Sequence, residues 1–370
     1  MQAVILVGGE GTRLRPLTYS IPKPMVPIVN RPFIVHMLDH LQAHGVTETL
    51  FLIGYKAEVF LEYFPEKTYR GMKLEFIREE QPLGTAGAVK NVEDRLEESF
   101  WVLNGDILSD INLGQVHQLF ESKSPMGVLT LTKVDDPTLY GVVETSQDGR
   151  VERFTEKPAW EEVRSHYINA GMYFLKKAAL ELIPPQINYS FEKGLFPQLL
   201  AQGYPLYGFQ SSGYWLDIGS PYKYLKSNLD ALEKKLQVNF PYKEIAPGVW
   251  LGEGAKISMK GPVKPPLVMG KNSVIGAGAS VTGPVVMGDN CIVGPEARVE
   301  NLVLWDGAKI GEKAQVKNCI LAQDSEICSG VELSNRVIAK GLKVGSGELL
   351  EGGEQQLISA GNLTLLNESS

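Results

Sequence analysis

From Met269 onward an apolar residue returns at every sixth position: Met269, Ile275, Val281, Met287, Val293, Val299 and Trp305. A helix repeats near 3.6 residues and a flat strand at 2, so neither explains a period of six. Three six-residue faces do make one turn of a triangular parallel β-helix, in which one apolar residue per face points inward and stacks on the next coil. Grouped by eighteen, the windows that start at Leu251, Met269 and Met287 align without gaps, the window from Trp305 is one residue short, and a weaker copy starts at Ala322. Glycines after the inward residues permit tight corners. These coils set residues 251–343 apart as a β-helix domain, after a linker at 237–250 and before a tail at 344–370. The tail carries Gly345, Gly347, Gly352 and Gly353 with Leu349, Leu350, Leu357 and Ile358, and is expected to cap the open end, with its final NESS frayed. All five histidines precede residue 167, so no coil supplies a histidine base. A scaffold for homo-oligomer contacts or regulation is the expectation for this domain.

Residues 1–236 read differently. Apolar runs such as LFLIG at Leu50–Gly54 and LEFI at Leu74–Ile77 alternate with helical segments, including Phe33 to about Gly45 and Ala57 to Phe64. That alternation predicts an α/β domain with a parallel, doubly wound sheet, whose ligands lie beyond the carboxyl ends of the strands. The first such end is VGGEGTRLRPLTYSIPKPMVP, Val7 to Pro27. Gly8, Gly9 and Gly11 let backbone N–H groups approach an anion, and Thr12, Arg13 and Lys23 add a hydroxyl and two cations. Neither a dinucleotide fingerprint nor a Walker loop fits, since Leu14 stands where a third glycine belongs and no Gly-Lys-Ser/Thr follows. The formal net charge of −7 argues against nucleic acid or an acidic membrane as partner, so the anion site is local. No apolar run reaches the roughly 20 residues of a membrane span. Together with three cysteines lacking CxxC spacing, this reads as a cytoplasmic protein.

Two carboxylates follow strand-like runs, Asp106 in Asn104-Gly105-Asp106 and Asp217 in YWLDIGSP. Two carboxylates at strand ends suit Mg²⁺, which takes one or two of them plus substrate phosphates, although either could simply cap a turn or the helix near Pro221. Gly84 lies in the turn EEQPLGTAG, and Gly141, Glu156, Lys157 and Asn169 stand in YGVV, TEKP and NAGMY. His36, His40 and His44 share a helix face; without an acidic or Cys partner at ligand spacing they read as packing rather than metal ligands.

With GGEGTRLRPLT, PKP, LGTAGA, GD, EKP, NAGMY and WLDIG in that order, residues 1 to about 235 resemble the sugar-nucleotide pyrophosphorylases, or sugar-1-phosphate nucleotidyltransferases. The resemblance implies a Rossmann-like domain and a left-handed coil behind it. It also implies that a sugar 1-phosphate and an NTP are joined with release of pyrophosphate. GTRLRPLT, IPKPMVPI and VDDPTLYGVVE point to the branch joining mannose 1-phosphate to GTP. By position, Arg13 and Lys23 would hold NTP phosphates, Lys157 the sugar phosphate, Glu156, Asn169 and Gly141 the sugar, and Asp106 and Asp217 the Mg²⁺. Gly194 in FEKGLFP stands where relatives often carry an acid, and that stretch is given no role.

The chemistry suits these residues. A phosphate monoester has its second pKa near about 6, so the attacking oxygen is already anionic at neutral pH and needs no general base. What the site must supply is positioning and positive charge. Uracil and thymine relatives tend to carry Gln five residues before the glycine of the LGT turn, where this chain has Glu79. An ionised carboxylate only accepts, and guanine offers two adjacent donors, so Glu79 favours GTP. The alternatives are a glucose-1-phosphate uridylyl- or thymidylyltransferase, and a regulatory subunit that binds nucleotide sugar without turnover. Intact Arg13, Lys23, Asp106, Lys157 and Asp217 argue against the latter.

Overall fold

The computed structural model describes residues 1–258 and 261–345, with the backbone of Leu349–Leu350 and Leu357–Ser359. The chain forms two compact units, Met1–Glu10 with Met37–Trp215 and Gly11–His36 with Leu216–Ser370.

In the first unit, β1 (Gln2–Val7), β2 (Glu48–Ile53), β3 (Met72–Arg78) and β4 (Ser99–Asn104) lie parallel in the order β3-β2-β1-β4. Their connections run through α1 (Phe33–Ala43), α2 (Ala57–Tyr63) and α3 (Gly84–Lys90). The order reverses between β1 and β4, so the loops that begin at Gly8 and Gly105 flank the switch point, where such sheets take their ligands. The register puts Leu6 opposite Asn104, and the Gly105 N–H donates to the Leu6 carbonyl at 2.9 Å.

The expectation of a parallel sheet holds for these four strands but not for every strand that follows. After α4 (Leu113–Lys123) come β5 (Gly127–Lys133), β6 (Gly141–Thr145), β7 (Val151–Glu156) and β8 (Tyr167–Lys176). β8 runs antiparallel to both β4 and β5, and β6 and β7 form an antiparallel pair. The segment that joins β6 to β7 is too short for a helical crossover, which a parallel neighbour requires. The parallel strand β9 (Leu206–Ser211) joins β5 after α5 (Phe196–Ala201). Val4, Leu50, Leu52 and Val102 pack with Ala86 and Val89 of α3 and with Tyr173, Phe191 and Phe196 to form the core.

In the second unit the coils stack in parallel in three columns. One runs Ile257, Ile275, Val293, Ile310, Ile327, Val344. The second runs Val263, Val281, Val299, Val316, Leu333, and the third Leu251, Met269, Met287, Leu304, Leu321, Ile338. The period of six holds as far as Val299; the third column then takes Leu304 where Trp305 was expected. The corner Gly283–Pro284 has two residues, whereas the single Asn301 turns the next coil with φ 52°. Asn318 and Asn335 repeat that left-handed corner, and the three amides hydrogen-bond in a ladder at 3.0 and 3.1 Å. Asparagine tolerates this conformation better than other non-glycine residues. The shorter corner turns Trp305 out of the column.

Val268, Val286, Val303, Ile320 and Val337 alternate with the third column, yet they too are buried. The helix α6 (Pro221–Leu232) packs along this outer face and buries Tyr224, Leu225 and Leu229. For that reason α6 and residues 11–36 group with the coils in the second compact unit. Part of the stretch read as a linker is strand: Lys243–Ala246 pairs antiparallel with Val249–Leu251, which joins the third column's sheet in parallel. At the far end, Leu349–Leu350 and Leu357–Ser359 pair antiparallel with the last coil and cover its strand edges. Gly347, Gly352, Gly353 and the closing NESS lie outside the described residues.

Candidate functional site

The site residues fall into two groups, one on each unit. In the first unit, Glu79 follows β3 and its N–H donates to the Ile53 carbonyl at 2.9 Å. Its carboxylate extends over the glycine loop, so that a Cβ built on Gly8 would stand 2.6 Å from Glu79 Oε2. Glu79 Oε1 is buried and has no hydrogen-bond partner. Burial raises the Glu79 pKa above the ordinary carboxylate value, with the Leu83 N–H pulling the other way. A desolvated acceptor with one oxygen unsatisfied is costly unless a ligand supplies the donor. Gly84, at φ +72°, leaves no room for a side chain beside Asn188 and Tyr189.

Gly141 opens β6 directly opposite Glu156 of β7, and a Cβ there would meet Glu156 Oε2 at 2.9 Å and Phe154 at 2.6 Å. Glu156 is half-buried; desolvation, then the neighbouring Glu192 carboxylate, raise its pKa, while Lys157 and Lys193 oppose them. Lys157 is exposed and sits at φ 50°, with its N–H on the Tyr140 carbonyl at 2.9 Å. A lysine in the left-handed region is strained, and such residues cluster at functional sites.

Asn169 lies at a bulge in β8, where the pairing with β5 slips between Asn169 and Tyr173. Its Oδ1 accepts from the Gly171 N–H at 3.0 Å and its Nδ2 donates to Tyr173 Oη at 2.7 Å. Tyr173 Oη donates to Glu192 Oε1 at 3.1 Å, and Glu192 Oε2 also accepts from Ser190 Oγ at 2.6 Å and Thr85 Oγ1 at 3.3 Å. Burial, then Glu192, push the Tyr173 hydroxyl pKa up, so it stays a donor. From the sequence, NAGMY was expected to contribute Asn169 alone, with no role for Tyr173 or for FEKGLFP. The structure corrects this: Glu192 joins Asn169 through Tyr173 and acts on Glu156. A Cβ at Gly194 would stand 2.5 Å from the Tyr189 ring, so that ring excludes the acid often found there. The only signal for the pairing was that 169 and 173 fall on one strand face. Asp106 follows β4 at the switch point and is half-buried; beside it, Asn104 Oδ1 is buried without a partner.

In the second unit, Gly11 turns at φ 63°, a Cβ there would stand 3.0 Å from Lys23 Cβ, and the Gly11 carbonyl accepts from Thr18 Oγ1 at 2.9 Å. Thr12–Leu14 form a 3₁₀ turn that leaves Thr12 and Arg13 exposed, whereas Lys23 is only 8% exposed. Gly219 has Asp217 Oδ2 on one side and Arg13 Nη1 on the other, at 3.1 and 3.3 Å from a Cβ built there. Asp217 pairs with Lys223. It does not cap α6; Ser220 does, accepting from the Lys223 N–H at 3.3 Å.

Among the described residues no three His, Cys, Asp or Glu side chains gather as a metal site. Mg²⁺ asks for less, since hard carboxylate oxygens at one or two points, with substrate phosphates, suffice. The histidine face is packing: His36 Nε2 donates to the Ile28 carbonyl at 2.9 Å, and His40 stacks edge-on to His44 at 4.6 Å.

Residues 2–234 match the nucleotidyl transferase family model, and residues 247–350 match that of the EIF2B subunit epsilon LbH domain, which makes the coils a left-handed β-helix. A mannose-1-phosphate guanylyltransferase of Mycobacterium tuberculosis is 38% identical over 62% of this chain and 64% of its own length. Mannose-1-phosphate guanylyltransferase 1 of Arabidopsis thaliana is 42% identical over 64% of this chain and 66% of its own. The chain thus spans just under two thirds of these curated relatives. Among solved structures, HddC from Yersinia pseudotuberculosis superposes with a TM-score of 0.53 at 32% identity over 61% of this chain and 97% of that one. HddC complexed with GMP-PN gives a TM-score of 0.52.

Proposed function

The chain belongs to the nucleotidyl transferase family, and from that premise we propose that it joins mannose 1-phosphate to GTP, releasing pyrophosphate and GDP-mannose. The observation that carries the base preference is Glu79, whose buried Oε1 lacks a donor at the strand end above Gly8. Guanine's N1–H and 2-amino group are two donors on one edge, and an ionised carboxylate accepts both. Relatives named mannose-1-phosphate guanylyltransferase and the HddC structure with GMP-PN support the same choice.

In the proposed reaction a sugar-phosphate oxygen attacks the α-phosphorus of GTP, the P–O bond to the β-phosphate breaks, and pyrophosphate leaves. Gly8, Gly9, Gly11 and Thr12 offer backbone N–H groups or a hydroxyl to the triphosphate, and Arg13 and Lys23 neutralise it. Lys157 holds the sugar phosphate, its strained backbone fixing where the ammonium emerges. Glu156 and Asn169 accept and donate to sugar hydroxyls, and Gly141 leaves room for the ring. Asp106 and Asp217 would hold Mg²⁺, which lowers the charge of the phosphates when bound. Homo-oligomerisation through the β-helix belongs to the same proposal. So does action in the cytoplasm, which Cys291, Cys319 and Cys328, all unbridged, would suit. Among the described residues no helix is long and apolar enough to cross a membrane.

The test is a matrix of GTP, UTP, dTTP and ATP against hexose 1-phosphates, read by pyrophosphate release. GTP with mannose 1-phosphate is expected to be fastest, and a marked UTP or dTTP preference overturns the Glu79 argument.

A further inference from the structure

Trp305, displaced from its column by the Asn301 corner, is 6% exposed, and its ring meets Tyr224 of α6 edge-on at 6.3 Å. Its Nε1–H donates to Tyr224 Oη at 2.8 Å. Tyr224, fully buried, donates its own O–H to the Pro27 carbonyl in a further hydrogen bond. A buried hydroxyl that donates once and accepts once is held from both sides, and losing either bond strands a buried polar atom.

Pro27 lies four residues beyond Lys23, in a tight hairpin in which Pro27–Ile28 pairs with Arg31–Pro32. Both residues at its tip have positive φ, Val29 at 47° and Asn30 at 61°. For a β-branched residue this is an outlier that persists only where surroundings impose it. The surroundings are α6 and the coils: the Val29 N–H donates to Asn228 Oδ1 at 2.8 Å and Asn30 Nδ2 to the Met287 carbonyl at 2.6 Å. The same helix carries Lys223, the partner of Asp217. One helix therefore links the coils, the hairpin after Lys23 and the Asp217 carboxylate.

Resting on the function proposed above, we propose that Trp305 is a positioning residue for the nucleotide. Through Tyr224 it makes the β-helix hold the segment that carries Lys23, so affinity for the triphosphate depends on a coil residue that touches no substrate.

The test uses the full chain with Trp305→Phe, which keeps the ring and removes the N–H, and independently Asn30→Gly, which keeps the positive φ and removes the amide. Hydrogen exchange over residues 23–33 and calorimetric titrations with GTP plus Mg²⁺ and with mannose 1-phosphate are the readouts. For one buried hydrogen bond, each variant is expected to speed exchange in that segment and to weaken GTP binding about five- to tenfold, with mannose 1-phosphate binding changed less than about twofold. Unchanged exchange at 23–33 overturns the link. Equal weakening of both ligands reduces Trp305 to a structural role and also overturns it. Turnover by the wild-type chain is measured separately: a protein that binds GTP without turnover refutes the proposed reaction and leaves the positioning comparison decisive, and one that does not bind GTP refutes both.

Discussion

Replacing Glu79 with glutamine alters one charge and almost no volume, yet it should move stability and specificity in opposite directions. In the free protein the carboxylate is desolvated, with Oε1 unsatisfied and the pKa raised. A group whose folded pKa lies above its unfolded value contributes stability at low pH that is lost as pH rises through the folded pKa. Glu79→Gln abolishes that loss, so the variant melts higher than the parent at pH 7 and the two converge in acid. Toward GTP the sign reverses. Only one of the two amide atoms can accept, so one charge-assisted hydrogen bond, worth about 1.5–3 kcal/mol, is replaced by two donors facing each other. At about 1.36 kcal/mol per factor of ten, kcat/KM for GTP should fall between about tenfold and a hundredfold. The acceptor and donor of glutamine match uracil's edge, so UTP should gain relative to GTP. Steady-state pyrophosphate release with each NTP, and thermal melts of the free protein at pH 5 and pH 7, read both effects. A variant that keeps the parental GTP efficiency refutes the assignment of Glu79 to the base, whatever its stability. One that loses GTP activity and also melts lower shows that Glu79 was structural.

Other perturbations have equally definite signs. Burial, then the neighbouring His44, hold the His40 pKa down, from 6.5 to about 4, against an opposing contact from Ile111. Its stabilising contribution is complete above about pH 6.5 and is lost as pH falls toward 4, up to about 3 kcal/mol in all. Denaturant melts of His40→Leu between pH 7 and pH 4 should lose that slope, and an unchanged slope would sink the assignment. Asp106→Asn and Lys157→Ala should each abolish most turnover while circular dichroism and melting temperature stay near the parent's; near-parental rates in either variant remove its assigned role. Tyr173→Phe breaks the bridge from Asn169 to Glu192, and KM for the sugar phosphate should rise about fivefold or more with KM for GTP little changed. Equal shifts in both would show a general loss of packing.

The columns of the β-helix and the first parallel strands were legible because burial imposes a period on the chain: six for Met269 to Val299, a continuous apolar run for β1 and β4. The glycine loop, Asp106, Glu156 and Asn169 could be singled out because each stands at a strand end or in a short motif. Tertiary structure decided what has no period. The antiparallel placing of β8 between β4 and β5 joins strands far apart in the chain, and no local spacing encodes it. The bond between Tyr173 and Glu192 joins residues 19 apart through a side-chain network that no spacing encodes. Trp305 fits the repeat in the sequence and leaves it in space, since a corner shortened by one residue is invisible until register with the coil below is known. Sequence alone therefore determined which residues must be buried and where polar side chains gather at strand ends. Only the folded chain decided which hydrogen-bond partners they meet, because those partners come from distant segments brought together by packing.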